Sequence, residues 1–198
     1  MATYLGTDLV KEGTAFNVAE IDGAAKKQGV EIRQGDVVIF HTGWVGLIGK
    51  DDKRYNAGEP GLGVEGAKYL VSKGVVAIGA DTWALEVIPF ESKNVFEVHQ
   101  ILLPMSGTYI LGNMNTAPLA ADKAYEFLFV LGAPKITGAV QGIINPVAIR
   151  WRHINDEAWR PLCGRHAAIR LCVTGKVRVM REDARPHSTA DRRERALA

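Results

Sequence analysis

The sequence predicts an α/β domain with a mixed sheet and packed helices over residues 1–150, and three observations carry that expectation. Two amphipathic stretches of helical period each lead into a short, continuous apolar run of buried-strand type. Three further runs, rich in β-branched and aromatic residues, follow between Gly and Pro punctuation. The composition changes abruptly near Arg150, which sets the end of the domain.

The first helix opens at Asn17, three residues before Glu20, a capping-box spacing. Val18, Ile21, Ala24 and Ala25 make its apolar face, and Gly29 supplies a C-terminal stop. After the turn Gln34-Gly35-Asp36 comes the strand Val37-Val38-Ile39-Phe40, which ends on His41-Thr42-Gly43-Trp44. Residues Gly46 to Gly63 are polar and rich in Gly and charge, and read as a surface excursion. Val64, Ala67, Leu70 and Val71 mark the second helix, closed by Gly74. Val75-Val76-Ala77-Ile78 then reads as a buried strand running into Gly79-Ala80-Asp81-Thr82-Trp83. Beyond the apolar run Val98 to Leu103, strands are expected at Tyr109-Ile110-Leu111, within Tyr125 to Leu131 and within Ile143 to Ile149.

Composition narrows the class. Hydrophobic residues make up 47% and charged residues 23%, ordinary values for a globular chain. No run approaches the ~20 apolar residues a membrane span needs. The N-terminus MATYLGTDLVKEG lacks the basic-then-apolar pattern of a signal peptide, so a cytoplasmic location is expected. Residues 1–150 carry 13 Lys+Arg against 16 Asp+Glu, a balance of −3 that disfavours nucleic acid as partner. Residues 151–198 carry 11 against 6, a balance of +5, and hold both cysteines. This segment reads as an unrelated, disordered basic extension of read-through or frameshift type. Its Cys163, His166 and Cys172 lack a fourth ligand and match no zinc knuckle. Its Arg-rich end, Arg181 to Arg195, has no interleaved aromatics.

Few residues of the main domain invite chemistry. His41 ends a strand and reads as a partly buried histidine hydrogen-bonded at a strand edge. Asp81 stands where a buried strand gives way to a loop, the place where α/β sheets face their ligand crevice. Metal or proton work and helix capping are both open to it. Gly61, Gly63 and Gly66 have the glycine spacing of a nucleotide loop, but with no strand before them they read as a loop feeding a helix.

Three stretches in order resemble the cyclase family of metal-dependent hydrolases, which includes bacterial kynurenine formamidases and isatin hydrolase. They are Gly79-Ala80-Asp81-Thr82-Trp83-Ala84-Leu85, Val98-His99-Gln100-Ile101-Leu102-Leu103, and Tyr109-Ile110-Leu111-Gly112-Asn113-Met114-Asn115. Gly35-Asp36-Val37-Val38, His41-Thr42-Gly43-Trp44, Pro60-Gly61-Leu62-Gly63 and Ile144-Asn145-Pro146-Val147-Ala148 are similar too. The resemblance implies a swivelling β/β/α fold, homo-oligomers, and a zinc- or manganese-bound water that hydrolyses a small amide, formamide or lactam. It implies His99 as a metal ligand, and His41, Trp44, Asp81 and Thr82 as pocket residues.

Two departures follow from the same resemblance. The family's early H-x3-H-x-D-x3-H ligand segment has no counterpart, since no two histidines here stand four apart. Gly112 occupies the position of a ligating glutamate. The expectation is therefore an N-terminally truncated and inactive copy, with a non-catalytic module that pairs with a full-length relative as the alternative.

Overall fold

Continuous apolar strands need cover on both faces, and the chain provides it by crossing over with helices between parallel strands. The computed structural model describes residues 1–150 and the backbone of Leu171–Val173. In chain order the elements are α1 (Ala2–Leu5), β1 (Ala15–Phe16), α2 (Val18–Gln28), β2 (Val37–Phe40), α3 (Asp52–Ala57), β3 (Gly61–Leu62) and α4 (Val64–Ser72). Then come β4 (Ala77–Ala80), α5 (Glu97–Leu102), β5 (Tyr109–Leu111), α6 (Ala117–Ala121), β6 (Leu128–Val130), β7 (Val147–Ile149) and β8 (Leu171–Val173). A 3₁₀ turn spans Trp44–Leu47.

The main sheet has the order β5-β4-β2-β8, with every pair parallel. β2 and β4 align Val37 with Ala77 and Phe40 with Ala80, so their C-terminal ends lie level. β1 and β3 form a separate parallel pair, and β6 and β7 a separate antiparallel ribbon. The α/β expectation with parallel and antiparallel strands holds, and the mixture is distributed over three sheets.

Alternation along the strands divides the interior. Val38, Phe40, Ile78 and Ala80 face one cluster, with Phe16, Ile21, Ala24, Leu62, Ala67, Leu70 and Leu102. Val37, Ile39, Ala77 and Leu111 face the other, with Phe127 and Phe129 from beside and within β6. Helices α2, α4 and α5 thus lie on one face, and α6 with the ribbon on the other.

The capping box of α2 closes, with the Asn17 N–H donating to Glu20 Oε2 at 3.0 Å. Gly29 ends that helix at φ 68°, its N–H returning to Ala25 O and Lys26 O. Gly61, Gly63 and Gly66 turn out to be points of close approach. A Cβ there would run into Leu85 O, Asn17 Oδ1 and Phe16 O respectively. Their spacing reports packing, and the loop expected to feed a helix is in part a strand: Gly61 lies in β3, and Gly63 is the N-cap of α4.

Two boundaries need correction. The strand expected at Val75–Ile78 lies two residues later, because Val75 and Val76 belong to the approach from Gly74, where Val76 N–H donates to Asp36 O. The Gly46–Gly63 stretch is a surface excursion only in its first part: residues 46–57 are mostly exposed, although they include α3, whereas Gly58 to Gly63, with β3, are buried. Its polarity misleads because Glu59 is satisfied internally. The zinc and nucleic-acid readings of residues 151–198, and their expected disorder, lie outside the described residues apart from the Leu171–Val173 backbone. Ile78, fully buried between strand and helices, provides a check on this packing. Ile78→Ala is expected to lower stability by about 2–5 kcal/mol in urea unfolding.

Candidate functional site at the strand ends

Level strand ends bring His41 and Asp81 together. Asp81 is fully buried, and its carboxylate is saturated by the neighbouring loop. Oδ1 accepts from Thr42 N–H at 2.8 Å and Thr42 Oγ1 at 2.7 Å, while Oδ2 accepts from Gly43 N–H at 2.8 Å. His41 Nδ1 lies 2.7 Å from Thr116 Oγ1 and 3.3 Å from Asp81 Oδ2. The hydrogen-bonded, strand-edge histidine expected from the sequence is what stands here. Asp81 caps no helix; it fixes the turn after β2.

Of the four expected pocket residues, Trp44, Asp81 and Thr82 are fully buried, and His41 alone keeps some exposed side-chain surface. Trp44 donates Nε1–H to Tyr55 O and lies beneath the Arg54 guanidinium, 5.3 Å from the ring centroid. Trp83, next in the loop, is the more open indole, and it donates Nε1–H to the same carbonyl. Tyr55 OH reaches Asn113 Oδ1 at 2.5 Å. Burial, followed by the nearby Glu59 charge, raises its hydroxyl above the ordinary phenol range.

Sequence reasoning missed two carboxylates. Glu59, from the supposed surface excursion, is fully buried and accepts from the Trp83 and Ala84 N–H groups, each at 2.9 Å. Burial pushes its carboxyl up to about 7, against those two donors and Thr82, with the Asp81 charge raising it further. Thr82 Oγ1 closes no hydrogen bond of its own, although it lies near enough to favour the charged Glu59.

The second carboxylate is Glu86, 2% exposed. It accepts from Val98 N–H at 3.1 Å and from His99 N–H at 3.4 Å, and it meets His99 Nδ1 at 3.0 Å. A lone acid within Leu85-Glu86-Val87-Ile88 was the available signal, because an apolar run keeps a carboxylate only when donors await it. His99 therefore has its own acid partner, separate from the His41–Asp81 pair.

The donor set decides which ion these residues can hold. Both oxygens of Glu59, Asp81 and Glu86 already accept N–H or O–H groups. Among the described residues, no group of three or more His, Cys, Asp or Glu converges on a metal position. At Gly112 a Cβ would stand 2.9 Å from Trp83 O, so a longer side chain there must displace backbone. The described residues do not fit a resident divalent ion.

The family model for cyclases matches residues 6–87. No curated protein matches the chain. A crystal structure described as a novel cyclase matches over 75% of this chain with 28% identity and a TM-score of 0.66. This chain covers 51% of that one, so it spans about half the length of the solved cyclase it matches.

Three outcomes are expected. Protonated Glu59 is favoured by folding, because its folded-state value lies above the ordinary 4.5. That stabilisation is complete below about pH 4.5 and is lost as pH rises through about 7, a swing on the order of 3 kcal/mol. Urea midpoints should fall between pH 5 and pH 8, roughly across that window, and Glu59→Gln should flatten the decline. Asp81→Asn should cost about 1–3 kcal/mol for each donor it leaves unpaired. Gly112→Glu should destabilise by about 1–3 kcal/mol through overpacking and create no tight zinc site, as measured by calorimetry.

Proposed function

We propose that this chain, whose residues 6–87 match the family model for cyclases, is a protein of the lineage that hydrolyses small amides, formamides or lactams. Of the two oriented imidazoles among its described residues, His41 and His99, the more exposed His99 is the one assigned to that chemistry. The carrying observation is His99. Its Nδ1 is held 3.0 Å from buried Glu86, and the ring keeps 24% of its side-chain surface exposed. An imidazole held in this way can accept a hydrogen bond or a proton from an amide N–H or a water at its other nitrogen.

Zinc or manganese would supply Lewis-acid activation of water in this lineage. The saturated carboxylates and Gly112 count against a complete set of ligands among the described residues. This chain's part is to bind and orient a small amide. Proton transfer at His99 is available, but turnover by these residues alone is not expected.

The donor set favours a second reading of a different class: a non-catalytic module that associates with further copies or with a longer relative. Assembly with such a relative would bring together ligands that the described residues lack.

The purified chain should be assayed with N-formylkynurenine and a cyclic amide, with zinc or manganese present and bound metal measured. Weak metal uptake that His99→Ala abolishes, without turnover, is the expected result. Tightly held stoichiometric metal with turnover would overturn the one-imidazole reading. Turnover that survives His99→Ala would remove His99 from it.

A further inference from the structure

Helix α5 starts without a capping side chain. Its N-cap is Phe96, at φ 56°, and Phe96 makes no side-chain cap hydrogen bond. The vacant N–H groups of Val98 and His99 are taken instead by Glu86, which arrives from the loop after β4. The same carboxylate oxygen that receives the His99 N–H also meets His99 Nδ1. An oxygen pair already accepting two N–H donors is completed by a third donor, so Nδ1 carries the ring proton and Nε2 is left with a lone pair. Phe96 then fixes the ring plane, edge to face with the imidazole at 4.9 Å and 78°, and itself packs edge-on against Phe90 at 5.1 Å.

We infer that Glu86 is the positioning residue for His99: it holds the imidazole in the Nδ1–H tautomer and turns Nε2 outward as an acceptor. The inference rests on reading His99 as the working imidazole, and it adds the group that makes it one. Glu86 touches no substrate; it acts through His99, as carboxylate partners of functional histidines do. Coupling the cap of α5 to the ring ties the orientation of the imidazole to the placement of the helix that carries it.

The test is the tautomer itself, read from the ring nitrogens of His99 by long-range proton–nitrogen correlation of the ¹⁵N-labelled full chain at alkaline pH, where imidazole is neutral. The wild type should show Nδ1 protonated and Nε2 bare. Glu86→Ala should lose that signature and move to the Nε2–H form, while His41, with its own Asp81 and Thr116 partners, should stay unchanged. A wild-type His99 that is predominantly Nε2–H overturns the inference, as does a folded Glu86→Ala that keeps Nδ1–H. If the uncapped α5 prevents Glu86→Ala from folding, the wild-type signature decides alone. Absence of turnover or metal uptake would leave this readout untouched, so the inference and the proposed function fail separately.

Discussion

The capture of the β2–loop turn by the Asp81 carboxylate is the interaction on which the rest of the structure depends. Two parallel strands meet level at their C-terminal ends, where both chains must leave the sheet with backbone donors unspent. Asp81, at the end of one strand, takes the N–H groups of Thr42 and Gly43 after the other. This closes the rim of the sheet and leaves Asp81 Oδ2 3.3 Å from His41 Nδ1. Glu59 repeats the device one step further round, holding Trp83 and Ala84, and Glu86 repeats it again at the start of α5. Three buried acids therefore organise two departures from the sheet and the start of α5.

That arrangement also explains why acids at a strand-end crevice do not amount to a metal centre. A hard cation needs oxygens with free lone pairs that converge. Here the oxygens are turned mainly onto backbone donors of the segments they hold, and among the described residues no three ligating side chains converge. The side chains that these acids hold in place include His99, beside Glu86, while Tyr55 and Trp83 are tied to Asn113 and to the Tyr55 carbonyl.

The sequence was most legible where one local rule settles one element. Asn17 with Glu20 and Gly29 bracketed α2, and Tyr109-Ile110-Leu111 matched β5 residue for residue. The cyclase likeness was legible in part from Asp81-Thr82, which lies within the matched residues 6–87. Legibility failed where long-range partners override local polarity. Glu59 lies in a stretch whose glycines and charges imitate a solvent-exposed loop, yet its carboxylate is satisfied by Trp83 and Ala84, 24 and 25 residues onward. Glu86 escaped notice for a related reason: its partners at 98 and 99 belong to a helix whose N-cap, a phenylalanine, gives no capping signal. Likewise, the frame of β4 slipped by two because Val75 and Val76 are as apolar as the strand itself.

The parallel register of the central sheet also bears on how the chain reaches this state. Val37 pairs with Ala77 and with Leu171, and Ala77 with Tyr109, so the neighbouring contacts close loops of 40, 134 and 32 residues. No hairpin can seed such a sheet; its first correct pairing must be found across a long, entropically costly separation. During that search Val37-Val38-Ile39-Phe40 stays uncovered, making refolding a race between slow parallel docking and self-association of the bare segment. Dilute, cold renaturation should therefore favour the native chain over precipitate.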